Sequence, residues 1–290
     1  MKNILVPTDF SQQANNALTV ACAIARKSGS NIHLLHVLDV SLGGGFNFST
    51  MGEPSGYTTM DQVYVLQLRD ITSQRLAELA QKNSGDGFTI LPEVQVGNIF
   101  STVTAYVKEH DIDLIVMGTK GSSGIEEFFV GSNTEKIVRR AACPVLSVKN
   151  VLPGFSIRNI AFASNFEKDQ LIAVSKLKRF QELFDAQLHL VYINVPNYFV
   201  NSRAIRIRMN EFVQKYQLTN YNFAVYDDNT EEDGIIHFAE EIHADIIAVA
   251  THGRTGLAHL LSGSIAEDIV NHANRPVLTF NLREFIEQPG

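Results

Sequence analysis

The sequence predicts an α/β fold of two tandem, doubly wound domains, each a parallel sheet flanked by helices. Three observations predict it. Short apolar runs alternate with helical patterns along the chain, the first half recurs in the second, and each half carries one glycine-rich strand–loop–helix device at the same place. Strand–helix alternation implies right-handed crossovers, which put helices on both faces of the sheet.

The repeat sets the organisation. Lys2-Asn3-Ile4-Leu5-Val6-Pro7-Thr8-Asp9-Phe10 aligns with Arg158-Asn159-Ile160-Ala161-Phe162-Ala163-Ser164-Asn165-Phe166. Ile32 to Val37 aligns with Leu188 to Ile193, and Ala142-Cys143-Pro144-Val145-Leu146 with Asn274 onward through Pro276-Val277-Leu278. The expected domains are 1–150 and 156–290. The seam falls near 150–157, where Pro153-Gly154 breaks regular structure.

In the first half, strands are expected near 3–7, 31–38, 88–95, 113–118 and 144–149, and helices near 11–27, 60–83, 98–110 and 133–141. Ala14, Ala17, Leu18, Ala21 and Ala25 fall on one face at helical spacing and mark a core stripe. Asp113-Leu114-Ile115-Val116-Met117 reads as a buried parallel strand. Ser132 and Glu135 have the spacing of a capping box, which places a helix start at Asn133, and Pro144 bounds that helix on its far side. The second half repeats the strands near 158–164, 187–193, 221–226, 245–250 and 276–281. Between second strand and second helix the halves differ most. Residues 41–59 carry five glycines where the counterpart, 194–202, is short, so the loop is either a mobile flap or a slack insertion.

The glycine device carries the chemistry. Gly118-Thr119-Lys120-Gly121, nine residues, then Gly131-Ser132-Asn133 follows one strand; Ala250-Thr251-His252-Gly253, nine residues, then Gly263-Ser264-Ile265 follows another. Glycines at a strand exit and a helix entry let backbone N–H groups approach a ligand, and a helix start supplies unpaired donors and partial positive charge. Ser264 and Glu267 repeat the capping box. In open α/β sheets ligands sit beyond the carboxyl ends of the strands where strand order reverses. Pro7, Thr8 and Asp9 leave the first strand at that edge, and Met117 and Gly118 leave the fourth.

The totals bound the remaining possibilities. A length of 290 residues suits about two domains, and 45% hydrophobic with 19% charged residues describes an ordinary globular chain. A net charge of −7 argues against a nucleic-acid partner. Met1 leads straight into a strand without a signal core, and no apolar run approaches the roughly 18 residues that cross a bilayer, so a cytoplasmic protein with no membrane contact is expected. Cys22 and Cys143 lack a CxxC partner and read as small buried hydrophobes. No metal-ligand motif, P-loop or nucleophile–base set is visible, so no metal site and at most slow turnover of a nucleotide are expected.

The paired glycine motifs, the Asp-x-Ile strands before them and the leading Ile4-Leu5-Val6-Pro7-Thr8-Asp9-Phe10-Ser11 resemble the universal stress protein family over nearly the whole chain. The resemblance implies five parallel strands per domain in the order 3-2-1-4-5, and ATP, ADP or AMP as ligand, with Mg²⁺ as its counter-ion. It implies that Gly118, Gly121, Gly131 and Ser132 hold phosphates and ribose, that Asn133 adds a backbone N–H, and that Asp9 and Val37 face the adenine end. In the second half Gly253, Gly263, Ser264 and Ile265 match, Asn165 and Ile193 stand for Asp9 and Val37, and Ala250 replaces a glycine. The resemblance also implies pairing of Val145 to Lys149 with Val277 to Asn281 as an intramolecular pseudo-dimer, with whole chains able to associate further and an unknown protein partner.

Alternatives stay open at this point. Asp9 is either a nucleotide contact or a cap for the helix at Ser11; Lys120 and Arg254 either meet a phosphate or point to water. Three functions compete: a cytoplasmic nucleotide-binding regulator, a slow ATP-cleaving enzyme, and a dimerisation scaffold with one occupied site.

Overall fold

The computed structural model describes residues 1–39, 59–119, 131–150, 155–166, 170–251 and 263–281. The first half runs β1 (Asn3–Pro7), α1 (Gln12–Ser28), β2 (Asn31–Leu38), α2 (Thr59–Asn83), β3 (Ile90–Val96), α3 (Ile99–Glu109), β4 (Leu114–Gly118), α4 (Ser132–Arg140) and β5 (Val145–Val148). The second runs β6 (Asn159–Ala163), α5 (Leu171–Phe184), β7 (Gln187–Asn194), α6 (Ser202–Tyr216), β8 (Tyr221–Asp227), α7 (Glu231–Glu241), β9 (Ile246–Thr251), α8 (Gly263–His272) and β10 (Val277–Asn281).

The strands form one ten-stranded sheet, β3-β2-β1-β4-β5-β10-β9-β6-β7-β8. Each half keeps the order 3-2-1-4-5, so strand order reverses between β1 and β4 and again between β6 and β9. All neighbours are parallel except β5 and β10, which run antiparallel with Leu278 opposite Leu146. Those leucines are equivalent in the repeat, so a local twofold axis passes between them.

Sequence dictates the layers. Strands buried on both faces are near-continuous apolar runs: Ile4, Leu5 and Val6 are fully buried, as are Ile115 and Val116. On one face α1, α2, α5 and α6 cover a core that continues across both halves, from Ile4 and Leu18 to Phe162 and Met209. On the other face there are two separate cores, one under α3 and α4 and one under α7 and α8. Ser11 caps α1 by accepting the Ala14 N–H at 3.2 Å, and Gly29 ends it in the left-handed conformation. Asp113 and Asp245, equivalent in the repeat, each accept backbone N–H bonds that pin the start of β1 and β6.

One sequence expectation needs correction. Ser132 and Ser264 do not cap their helices. The first helix begins at Ser132 with Gly131 as the cap and no side-chain cap bond, and the second already includes Gly263. The Gly131 carbonyl accepts the Glu135 N–H at 3.1 Å, so helical pairing starts one residue earlier than a serine cap allows. Glu135 turns instead towards Arg139 on its own helix, at 3.6 Å. Gly118 carries a packing constraint as well, and its backbone is not left-handed. A Cβ there would lie 2.7 Å from the Gln13 carbonyl carbon, because the first turn of α1 packs directly on it.

Candidate functional site

The first-half site is built where β1 and β4 end side by side. Thr8 is pinned by its N–H to the Leu35 carbonyl at 2.9 Å. Its hydroxyl accepts the Phe10 N–H at 3.1 Å and holds Phe10 at φ 63°, a left-handed conformation unusual for a bulky residue. Asp9 accepts the Ser11 N–H at 3.0 Å, which gives its carboxylate a turn-forming role at the entry to α1. The same turn recurs at Ser164 and Phe166, with a 3.1 Å bond and φ 57°. A local strain repeated in both halves is part of how the strand exit is shaped.

His36 donates to this turn through Nδ1, 2.7 Å from the Thr8 carbonyl oxygen, which can only accept. Its ring lies 4.9 Å from that of Phe10, and the exposed Arg75 guanidinium covers Phe10 at 4.1 Å. Burial lowers the His36 pKa, against the opposing pull of the Thr8 bond and Asp9. A neutral His36 in the fold and an ordinary one in the unfolded chain mean that protons favour unfolding. Stability is therefore expected to fall as pH drops through about 6.5. Histidine NMR titration should find His36 below that value, and His36→Gln should remove its share of the pH dependence.

At the other wall, the Gly131 N–H donates to the Thr119 carbonyl at 3.0 Å, while Thr134 donates its hydroxyl to the Gly118 carbonyl at 3.2 Å. These bonds tie the start of α4 to the end of β4. They also mean that Gly131 offers a ligand its lack of a side chain, not its N–H. Among the described residues the N–H groups of Ser132, Asn133 and Thr134 meet no acceptor, the ordinary condition of a helix first turn. The Thr119 hydroxyl, on a residue only 4% exposed, also has no hydrogen-bond partner there. Val37 is half-buried and Met117 buried at the same sheet edge. Lys120 and Gly121 lie outside the described residues, as do Gly253, Arg254 and the glycine-rich loop.

The second-half crevice has its own lining. Ser164, Asn165, Tyr192, Ile193 and Glu231 line a cavity of about 20 Å³, room for about one water. Glu231 opens α7 where the first half has Ile99 opening α3, so a carboxylate replaces an apolar group. The Ile193 side chain is packed so closely on Gly234 that a Cβ there would lie 2.4 Å from it. Ser264 and Ile265 sit in the first turn of α8, as Ser132 and Asn133 do in α4. Ala250 is buried; the residues that correspond by the repeat to Gln13 and its neighbours, 167–169, lie outside the described residues.

The helices opening the two sites lean on each other. Arg139 Nε lies 3.0 Å from Glu267 Oε1, and Asn281 donates to the Arg139 carbonyl at 2.9 Å. Burial raises the Glu267 pKa, with Arg139 opposing and Glu135 reinforcing. Sequence reasoning missed Phe10, His36, Arg75, Thr134 and Glu231. The Phe10–Phe166 match in the repeat was a usable signal, as was the Ile99–Glu231 mismatch.

Comparison with known proteins fits this geometry. The sequence profile described as the Universal stress protein family matches residues 1–149 and again 156–281. Universal stress protein Slr1230 of Synechocystis is 24% identical over 97% of this chain and all of its own length. Universal stress protein MJ0531 of Methanocaldococcus jannaschii is 28% identical over 51% of this chain and 82% of its own length. The crystal structure of a universal stress protein from Archaeoglobus fulgidus has the same fold, with a TM-score of 0.72 at 19% identity, covering 96% of this chain and 98% of that one. With two copies of the family's domain sequence, one strand order in both halves and one shared sheet, the chain belongs to the universal stress protein family as a tandem member.

Proposed function

We propose that the chain is a cytoplasmic regulator that binds ATP, or ADP or AMP, in its first half, with occupancy as the signal to a protein partner. The observation that carries this reading is the first turn of α4: among the described residues its three N–H groups have no acceptor, and the buried Thr119 hydroxyl beside them has no partner, at the switch point of the sheet. Ser132, Asn133 and Thr134 would hold phosphate oxygens. Lys120 and Gly121 belong to the same motif. Pro7, Thr8, Asp9 and Val37 would form the base end, with Met117 and Gly118 between them. Mg²⁺ would arrive as the nucleotide's counter-ion. Two reduced, buried cysteines suit a reducing compartment.

One specific observation favours a single site per chain: the second-half crevice holds about 20 Å³ and is lined by the Glu231 carboxylate, which repels an anion. Gly253, Arg254, Gly263, Ser264 and Ile265 then remain as a structural relic of the motif, with Asn165 and Ile193 closing the base end. Calorimetry on nucleotide-stripped protein should give one equivalent of ATP bound. No heat at millimolar ATP from folded protein would sink the reading, and two equivalents would sink the single-site part alone. Multiple-turnover phosphate release would favour an enzyme instead.

A further inference from the structure

The opposite edge of the sheet holds a concavity that the nucleotide reading leaves unused. It is a cleft of about 480 Å³ where the two halves meet, between the end of α1 and the side of α5. That size lies within the range of small-molecule sites. Its floor is apolar, made by Leu114, Pro144, Phe180, Leu278 and Phe280, of which Leu114 and Leu278 are each 1% exposed. Its charged side chains are Lys27, Lys176 and Arg179 against Asp113 and Glu182, and Met1 also lines it.

The charges are not equivalent. Asp113 already accepts the backbone N–H groups of Lys2 and Asn3 at 2.5 and 3.3 Å. Lys27, Arg179 and Glu182 are exposed at the rim, whereas Lys176 is half-buried deeper in the cleft. We propose that this cleft binds a small amphipathic carboxylate, its single negative charge at Lys176 and its hydrocarbon chain along the floor. A polyphosphate would crowd Asp113 and Glu182, whereas a single carboxylate at Lys176 need not. Burial lowers the Lys176 pKa, with Asp113 opposing, and a carboxylate at the ammonium would repay that desolvation. The site draws on both halves, so it exists only because they share one sheet.

Octanoate and octan-1-ol are the probes, titrated into the full chain with the leucine methyls observed by NMR. Octanoate should shift Leu114, Leu183 and Leu278 saturably, with octan-1-ol at least about tenfold weaker for want of the charge-assisted contact. Lys176→Met keeps the apolar stem and should bring octanoate down to the level of the alcohol. Unmoved cleft methyls at millimolar octanoate would overturn the proposal, as would a folded Lys176→Met chain that binds octanoate like the parent. Should that variant fail to fold, the comparison on the unaltered chain decides: equal affinity for acid and alcohol overturns it. ATP binding is read separately, so failure here leaves the nucleotide reading standing.

Discussion

Gly131→Asp is expected to abolish nucleotide binding while leaving the fold as stable as before or slightly firmer. Gly131 sits at φ −57°, ψ 138°, a conformation open to any residue, so the substitution carries no backbone strain. Aspartate at a helix cap accepts from the second or third N–H of the first turn, which here belong to Asn133 and Thr134. The helix gains a few tenths of a kcal/mol over glycine, and its partial positive end is neutralised. A nucleotide loses those two donors and meets a like charge. At about 1.5–3 kcal/mol for each charge-assisted bond, affinity should fall at least about a hundredfold. Titration calorimetry and urea unfolding on the same variant separate the two effects. Unchanged affinity in a folded Gly131→Asp chain would show that the first turn of α4 is not the phosphate site.

Gly118→Ala should destabilise the first half by about 2 kcal/mol or more, a large effect for one methyl. The added Cβ would lie 2.7 and 2.9 Å from the backbone carbon and oxygen of Gln13, so no side-chain rotation relieves it and the start of α1 must move. That turn carries Ser11 and the Asp9 bond, so nucleotide affinity should fall with stability. The reciprocal change is Ala250→Gly in the second half. It should cost only about 1 kcal/mol, from a lost buried methyl and a freer backbone. A lower urea midpoint for Gly118→Ala than for Ala250→Gly is the expected result; the reverse order would mean that the α1 contact yields easily.

Much of the architecture was legible because it rests on periodicity. Apolar runs such as Leu114–Met117 cannot be anything but buried when both faces are covered, and the repeat carried each assignment across to the second half. The helix starts were harder. Ser-x-x-Glu looks the same whether serine caps the helix or begins it, and only the Gly131–Glu135 bond decides. The packing constraint at Gly118 was not legible, since the approach of Gln13 joins residues far apart in sequence. The lining of the second crevice depends on such distant meetings as well, with Ile193 against Gly234 and Glu231 beside Asn165. The repeat shows that Ile99 and Glu231 differ but not where the carboxylate points.

The antiparallel seam at Leu146 and Leu278 has an evolutionary consequence. Two separate copies joined through such a seam would be encoded by one sequence, and any residue that spoiled one crevice would spoil both. Joining the copies in a single chain lifts that bond between them: one crevice can change its lining, as Glu231 stands where the other half has Ile99, while its strand still completes the sheet for the other.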